Sequence, residues 1–246
     1  MCVDLKLNSR DLALTAVFAS LYAVLSAVPL FPVIGVVGKS FTMALIIAPL
    51  VGLIIGPYRG ALAASIGGFI GWSIAPQYGL LYQFSFIPGA STALCSGLLY
   101  KAKWKLFAIL YPTLLLTFGF FPSVGPLWLY PDYLWFHLLG LTALAFQVIL
   151  TISKTVNTRN FMLELGFVVG MISFIATLFG HVVGGLFFEV IYFPTFISSV
   201  DAWRSIWQGV AFVYPIERSI VVLISILIGA PLIRALKTHG FEVGGK

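Results

Sequence analysis

The sequence predicts an all-α, polytopic membrane helix bundle, and three observations carry that prediction. Of the 246 residues, 60% are hydrophobic and only 9% are charged, against a soluble norm of about 45–50% apolar and about 25% charged. The mean hydropathy is +1.05. Apolar runs able to cross, or nearly cross, a hydrocarbon layer of about 30 Å recur at 11–30, 40–56, 60–76, 82–100, 104–121, 133–153, 161–190 and 209–236. These are about eight spans. No stretch is polar enough for a separate soluble domain, so residues 1–246 read as a single transmembrane domain.

The first run, Leu12 to Leu30, is longer than the apolar region of a signal peptide and reads as a retained span. It carries the ladder Ala19, Ala23, Ala27, widened by Ala16 and Ser20. Small residues four apart let another backbone approach closely, which drives helix association in lipid. That backbone belongs either to the same bundle or to a partner. The second and third spans are separated only by Pro57-Tyr58-Arg59, a tight turn. The third carries Gly60, Ala63, Ala64, Gly67, Gly68 and Gly71, two interleaved small-residue ladders that suggest the centre of the bundle. The spans at 104–121 and 133–153 are rich in Leu and Phe, are joined by the loop Pro122 to Asp132, and read as peripheral. The seventh run has no charged or turn-rich break and reads as one long tilted helix.

Counting Lys and Arg in alternate loops sets the orientation. Lys6, Arg10, Arg59, Lys101, Lys103, Lys105, Lys154, Arg159, Arg234, Lys237 and Lys246 fall on one side, against Lys39 and Arg204 on the other. Both termini are expected in the cytoplasm of a multi-pass protein of the cell membrane. Splitting the seventh run would send the C-terminal basic cluster outside. The formal net charge of +6 is explained by this asymmetry, not by nucleic-acid binding.

Several motifs fail their tests. Gly35-Val-Val-Gly38-Lys39-Ser40 ends like a phosphate-binding loop, but the leading glycine would be Val33 and the segment joins two spans. Cys2 and Cys95 form neither a disulfide framework nor a metal spacing, and Asn8, Asn157 and Asn160 all miss the glycosylation pattern. No cofactor or metal is expected. Gly89-Ala90-Ser91, followed later by His181, has the chain order of a rhomboid-like intramembrane serine protease, since a serine needs a base within reach. Thr92 stands where a glycine is expected and Phe188 where a small residue is.

Ionisable groups within spans are functional candidates because charges in hydrocarbon are costly. The last span carries Tyr214, Glu217 and Arg218 about 12 Å in from its outer end. His181 reaches a similar depth on the seventh, and Trp72, Gln77, Tyr82, Gln83 and His137 fall around the same rim. Glu217 and Arg218 point about 100° apart on a helix, so at least one is expected to meet another helix or a ligand; the alternative is a structural ion pair among Glu217, Arg218 and His181 that orders the bundle. Lys39, Glu189 and Arg204 are expected to snorkel to water. The pattern suggests a polar, aromatic-edged pocket open to the outside.

Ile55-Gly56-Pro57-Tyr58-Arg59-Gly60, Tyr214-Pro215-Ile216-Glu217-Arg218 and Gly229-Ala230-Pro231-Leu232 before a basic end, taken with the Ala19, Ala23, Ala27 ladder, resemble the substrate-binding S component of an energy-coupling factor (ECF-type) transporter. The resemblance covers about residues 8–105 and 161–238 and implies a six-helix core, with 104–153 as an inserted helical hairpin. It implies a non-enzymatic binder of a vitamin or similar micronutrient that delivers substrate inward with a membrane coupling subunit and an ATPase pair. The ladder Ala19, Ala23, Ala27 would be the partner contact. Lys39 would lie on a lid, and Trp72, Gln83, His181, Tyr214, Glu217 and Arg218 would line the pocket. The alternatives are a non-catalytic structural subunit of a larger membrane complex, and the protease with Ser91 and His181.

Overall fold

A computed structural model describes residues 9–153 and 161–245. Cys2, Lys6, Asn8, Lys154, Asn157, Arg159, Asn160 and Lys246, which entered the sequence analysis, lie outside the described residues. The helices are α1 (Ser9–Ser26), α2 (Ala44–Ile55), α3 (Pro57–Ile74), α4 (Ile87–Tyr100), α5 (Trp104–Gly119), the short α6 (Pro126–Leu129), α7 (Trp135–Ser153), α8 (Phe161–Tyr192) and α9 (Val200–Thr238). The bundle is helical as expected, with one departure. β1 (Pro29–Pro32) and β2 (Ser40–Thr42) form an antiparallel β-hairpin in which Phe31 pairs with Phe41. Pro29 and Pro32 lack the N–H that a helix needs, so α1 stops at Ser26 and not at Leu30. Gly35 and Gly38, at φ of 83° and 77°, turn the chain back.

Among the described residues three helical stretches are long and apolar enough to cross a membrane unaided: Pro131–Ile149, Glu164–Tyr192 and Val200–Thr238. α8 is one unbroken helix, as the charge count required. By contrast α2 has 12 residues and α4 has 14, so they rise only about 18 Å and 21 Å. The expected spans 40–56 and 82–100 therefore begin with non-helical chain. The β-hairpin and a loop with 3-10 turns at Pro76–Tyr78 and Tyr82–Phe84 occupy the remaining depth.

Glycines set the close approaches. A Cβ at Gly52 of α2 would lie 1.9 Å from the Ala93 carbonyl oxygen of α4, and one at Gly60 of α3 would lie 2.8 Å from Gly52 Cα. A Cβ at Gly67 would lie 2.3 Å from the Ala19 carbonyl oxygen of α1, and one at Gly71 would lie 2.3 Å from Ser26 Cβ. Ala19 and Ala23 are consequently buried against α3, and Ala27 is half-buried. Ala19 and Ala23 of the ladder pack inside the bundle; Ser9, Ala13, Ala16 and Ser20 are the small residues of α1 that remain exposed. α3 is not the centre either, since Leu62, Ile66, Phe69 and Ile70 face outward. The helix buried nearly throughout is α2, from Ala48 to Ile55.

The α5–α7 pair is more than peripheral. Its outer faces expose Ile109, Leu116, Leu138 and Phe146, while Phe107, Tyr111, Phe118 and Leu144 are buried in the core that includes α8. At the end of the bundle that carries the α2–α3 turn, Arg59 pairs with Asp11 and Arg10 sits 4.8 Å over the Phe241 ring. There the Gly244 N–H donates to the Ile54 carbonyl oxygen at 3.0 Å. Partial burial, then the charges of Arg59 and Lys103, hold the Lys101 ammonium below the ordinary lysine range.

Candidate functional site

The two short helices leave a space above their N-termini, and a cavity of about 170 Å³ occupies it. Irregular backbone at membrane depth is tolerated where it lines a cavity, and here β2 and the 75–85 loop do so. Ala44 of α2 and Gly89 and Thr92 of α4 line it from below, and α8 and α9 close the sides. Neither α2 nor α4 has a side-chain cap on its N-terminus.

Arg218 and Glu217 line the cavity from α9, and both are buried. Although helical spacing points them about 100° apart, they pair with each other as the ion-pair alternative has it, Nη2 to Oε2 at 3.7 Å. The long guanidinium arm folds back far enough to offset the 100° between their Cβ directions. Arg218 Cζ also lies 5.0 Å from the Phe41 ring centroid of β2, a cation–π contact. Its Nε has no hydrogen-bond partner.

His181 lines the cavity from α8. Its Nε2 is 3.2 Å from the Tyr133 hydroxyl, and its Nδ1 has no partner. Tyr214 places its ring edge-on to His181 with centroids 4.8 Å apart and donates its hydroxyl to the Tyr133 carbonyl oxygen at 2.8 Å. Trp72 lines the cavity from α3, and its Nε1 likewise has no partner.

Five of the seven expected pocket residues thus share one cavity: Trp72, His181, Tyr214, Glu217 and Arg218. Lys39 and Gln83 do not line it. Lys39 Nζ donates to the Pro76 carbonyl oxygen at 3.3 Å and sits 5.1 Å over the Tyr82 ring, so it pins the β-hairpin tip to the neighbouring loop. Gln83 is exposed. His137 is fully buried instead of at the rim, with Nδ1 3.1 Å from the Tyr111 hydroxyl. Glu189 does not snorkel: it is 0% exposed and neither carboxyl oxygen has a partner.

The protease arrangement is absent. His181 bonds Tyr133, and Ser91 is not on the cavity wall. A Cβ at Gly180 would meet Thr92 Oγ1, so Thr92 faces α8 and Ser91, the preceding residue, is turned about 100° away. Among the described residues no group of three or more His, Cys, Asp or Glu could hold a metal ion.

Sequence reasoning missed Phe41 and Tyr133. Both are aromatic residues in turn-rich segments, and nothing in their immediate neighbours marks them as cavity residues.

Residues 6–120 match the family model described as ECF-type riboflavin transporter, S component. The resemblance to an ECF S component, a substrate-binding subunit of a membrane transporter, is therefore shown over that stretch, which ends just after α5. Comparison with curated proteins and with solved structures gave no match.

Proposed function

We infer that this chain is the substrate-capture subunit of an ATP-driven vitamin or micronutrient importer, and not an enzyme. The cavity beneath the β-hairpin is the observation that carries this reading, together with the family match. In this reading the hairpin end faces outside and both termini are cytoplasmic, which the Lys and Arg asymmetry supports. Substrate enters beneath the β-hairpin and is released inward when a membrane coupling subunit and an ATPase pair drive the change.

The exposed small residues Ala13, Ala16 and Ser20 of α1 offer that coupling subunit a close approach, since Ala19 and Ala23 are already used against α3.

The matched family is described by riboflavin, and the cavity chemistry suits a ligand of that kind. Its walls combine aromatic rings with a charge pair that offsets itself, so an uncharged ring compound fits better than a strong anion. Trp72 and Trp207 both line the cavity, so bound riboflavin should quench tryptophan fluorescence. Titration of the purified protein with riboflavin, backed by thermal shift over a panel of vitamins, tests the reading. Saturable quenching or stabilisation supports it; the absence of any ligand effect favours the structural subunit.

A further inference from the structure

We propose that Tyr133, carried between α5 and α7, is a specificity-determining residue of the cavity: it fixes His181 so that the free ring nitrogen offers an N–H to a hydrogen-bond acceptor on an uncharged ligand. The inference rests on reading the cavity as a substrate site. It gives the α5–α7 pair a role in recognition.

The geometry leaves Tyr133 little freedom. It is 0% exposed, its ring stacks on Tyr214 with centroids 5.0 Å apart, and its own carbonyl oxygen holds the Tyr214 hydroxyl. Phe118 and Trp207 pack against it edge-on. The hydroxyl is thereby directed at His181 Nε2, 3.2 Å away. A phenol is a far stronger acid than a neutral imidazole N–H, so the phenol donates and Nε2 accepts. The single proton of the neutral ring then sits on Nδ1.

The unprotonated state of Nε2 matters because Arg218, a cation, lines the same cavity. Nδ1 of His181, Nε of Arg218 and Nε1 of Trp72 are three buried nitrogens on three helices, none with a hydrogen-bond partner. All three carry hydrogen in this assignment. Buried donors left unpaired cost free energy, and a ligand presenting ring or carbonyl acceptors would recover it. Glu217 already offsets the Arg218 charge, so the acceptor need not be a carboxylate or phosphate.

A double-mutant cycle with riboflavin as the probe tests this. Tyr133→Phe removes only the hydroxyl, and His181→Asn keeps an N–H near the Nδ1 position without needing Tyr133 to orient it. Affinity should fall roughly fivefold to tenfold on Tyr133→Phe in the wild-type background, about the loss of one neutral hydrogen bond. It should not change on Tyr133→Phe in the His181→Asn background, and His181→Ala should bind weakly in either. A purely structural Tyr133 would give the same loss in both backgrounds, which would overturn the inference, as would an unchanged affinity for Tyr133→Phe alone. If the wild-type protein does not bind riboflavin, the inference falls, and the vitamin panel then decides whether the functional reading falls with it.

Discussion

Arg218 of α9 and Phe41 of β2 meet across the top of the cavity, the guanidinium carbon 5.0 Å from the ring centroid. This contact joins the β-hairpin to the wall that carries the charge pair. Phe41→Ala removes a contact worth about 0.5–2 kcal/mol, so the hairpin should open more often. Stopped-flow release of bound riboflavin is expected to speed up several-fold, with the fold unchanged by circular dichroism.

The charge pair itself should behave asymmetrically. Arg218→Ala leaves Glu217 buried without its cation, and breaking a buried pair in this way costs about 3–5 kcal/mol. The Glu217→Gln/Arg218→Met double variant leaves no charge to bury and should unfold at a temperature much closer to the wild type. Thermal unfolding in detergent distinguishes the two; equal losses would mean that the pairing at 3.7 Å contributes nothing.

Two substitutions on α1 separate packing from partner contact. Ala23 is buried against α3, so Ala23→Leu overpacks the bundle at a cost of about 1–3 kcal/mol. Ala16 is exposed, so Ala16→Leu should leave the Tm and ligand binding unchanged while weakening co-purification with the coupling subunit. The reverse pattern would return the partner surface to the Ala19, Ala23, Ala27 ladder.

Much of this architecture is legible in the sequence because membranes impose strong rules. The absence of a break in Phe161–Tyr192 and the positions of the basic residues gave one long α8. The cost of intramembrane charge singled out His181, Glu217 and Arg218. The face of a ladder was harder to read, because spacing by four reveals a smooth strip and says nothing about what covers it. Phe41 is one of 22 phenylalanines, and only the β-hairpin brings it to Arg218. Tyr133 reaches His181 only because the α5–α7 pair docks on α8, a long-range packing event that no local pattern encodes. Whether adjacent Glu217 and Arg218 pair was left open by the sequence, because helical spacing fixes Cβ directions and not the reach of an arginine.

In the proposed function the cavity between the β-hairpin, α8 and α9 binds the substrate. Isothermal titration of the wild-type protein and the folded Glu217→Gln/Arg218→Met variant with riboflavin tests it most directly. One saturable site is expected in the wild type and at least tenfold weaker binding in the variant, a difference of about 1.4 kcal/mol or more. Equal affinity in both proteins would contradict it.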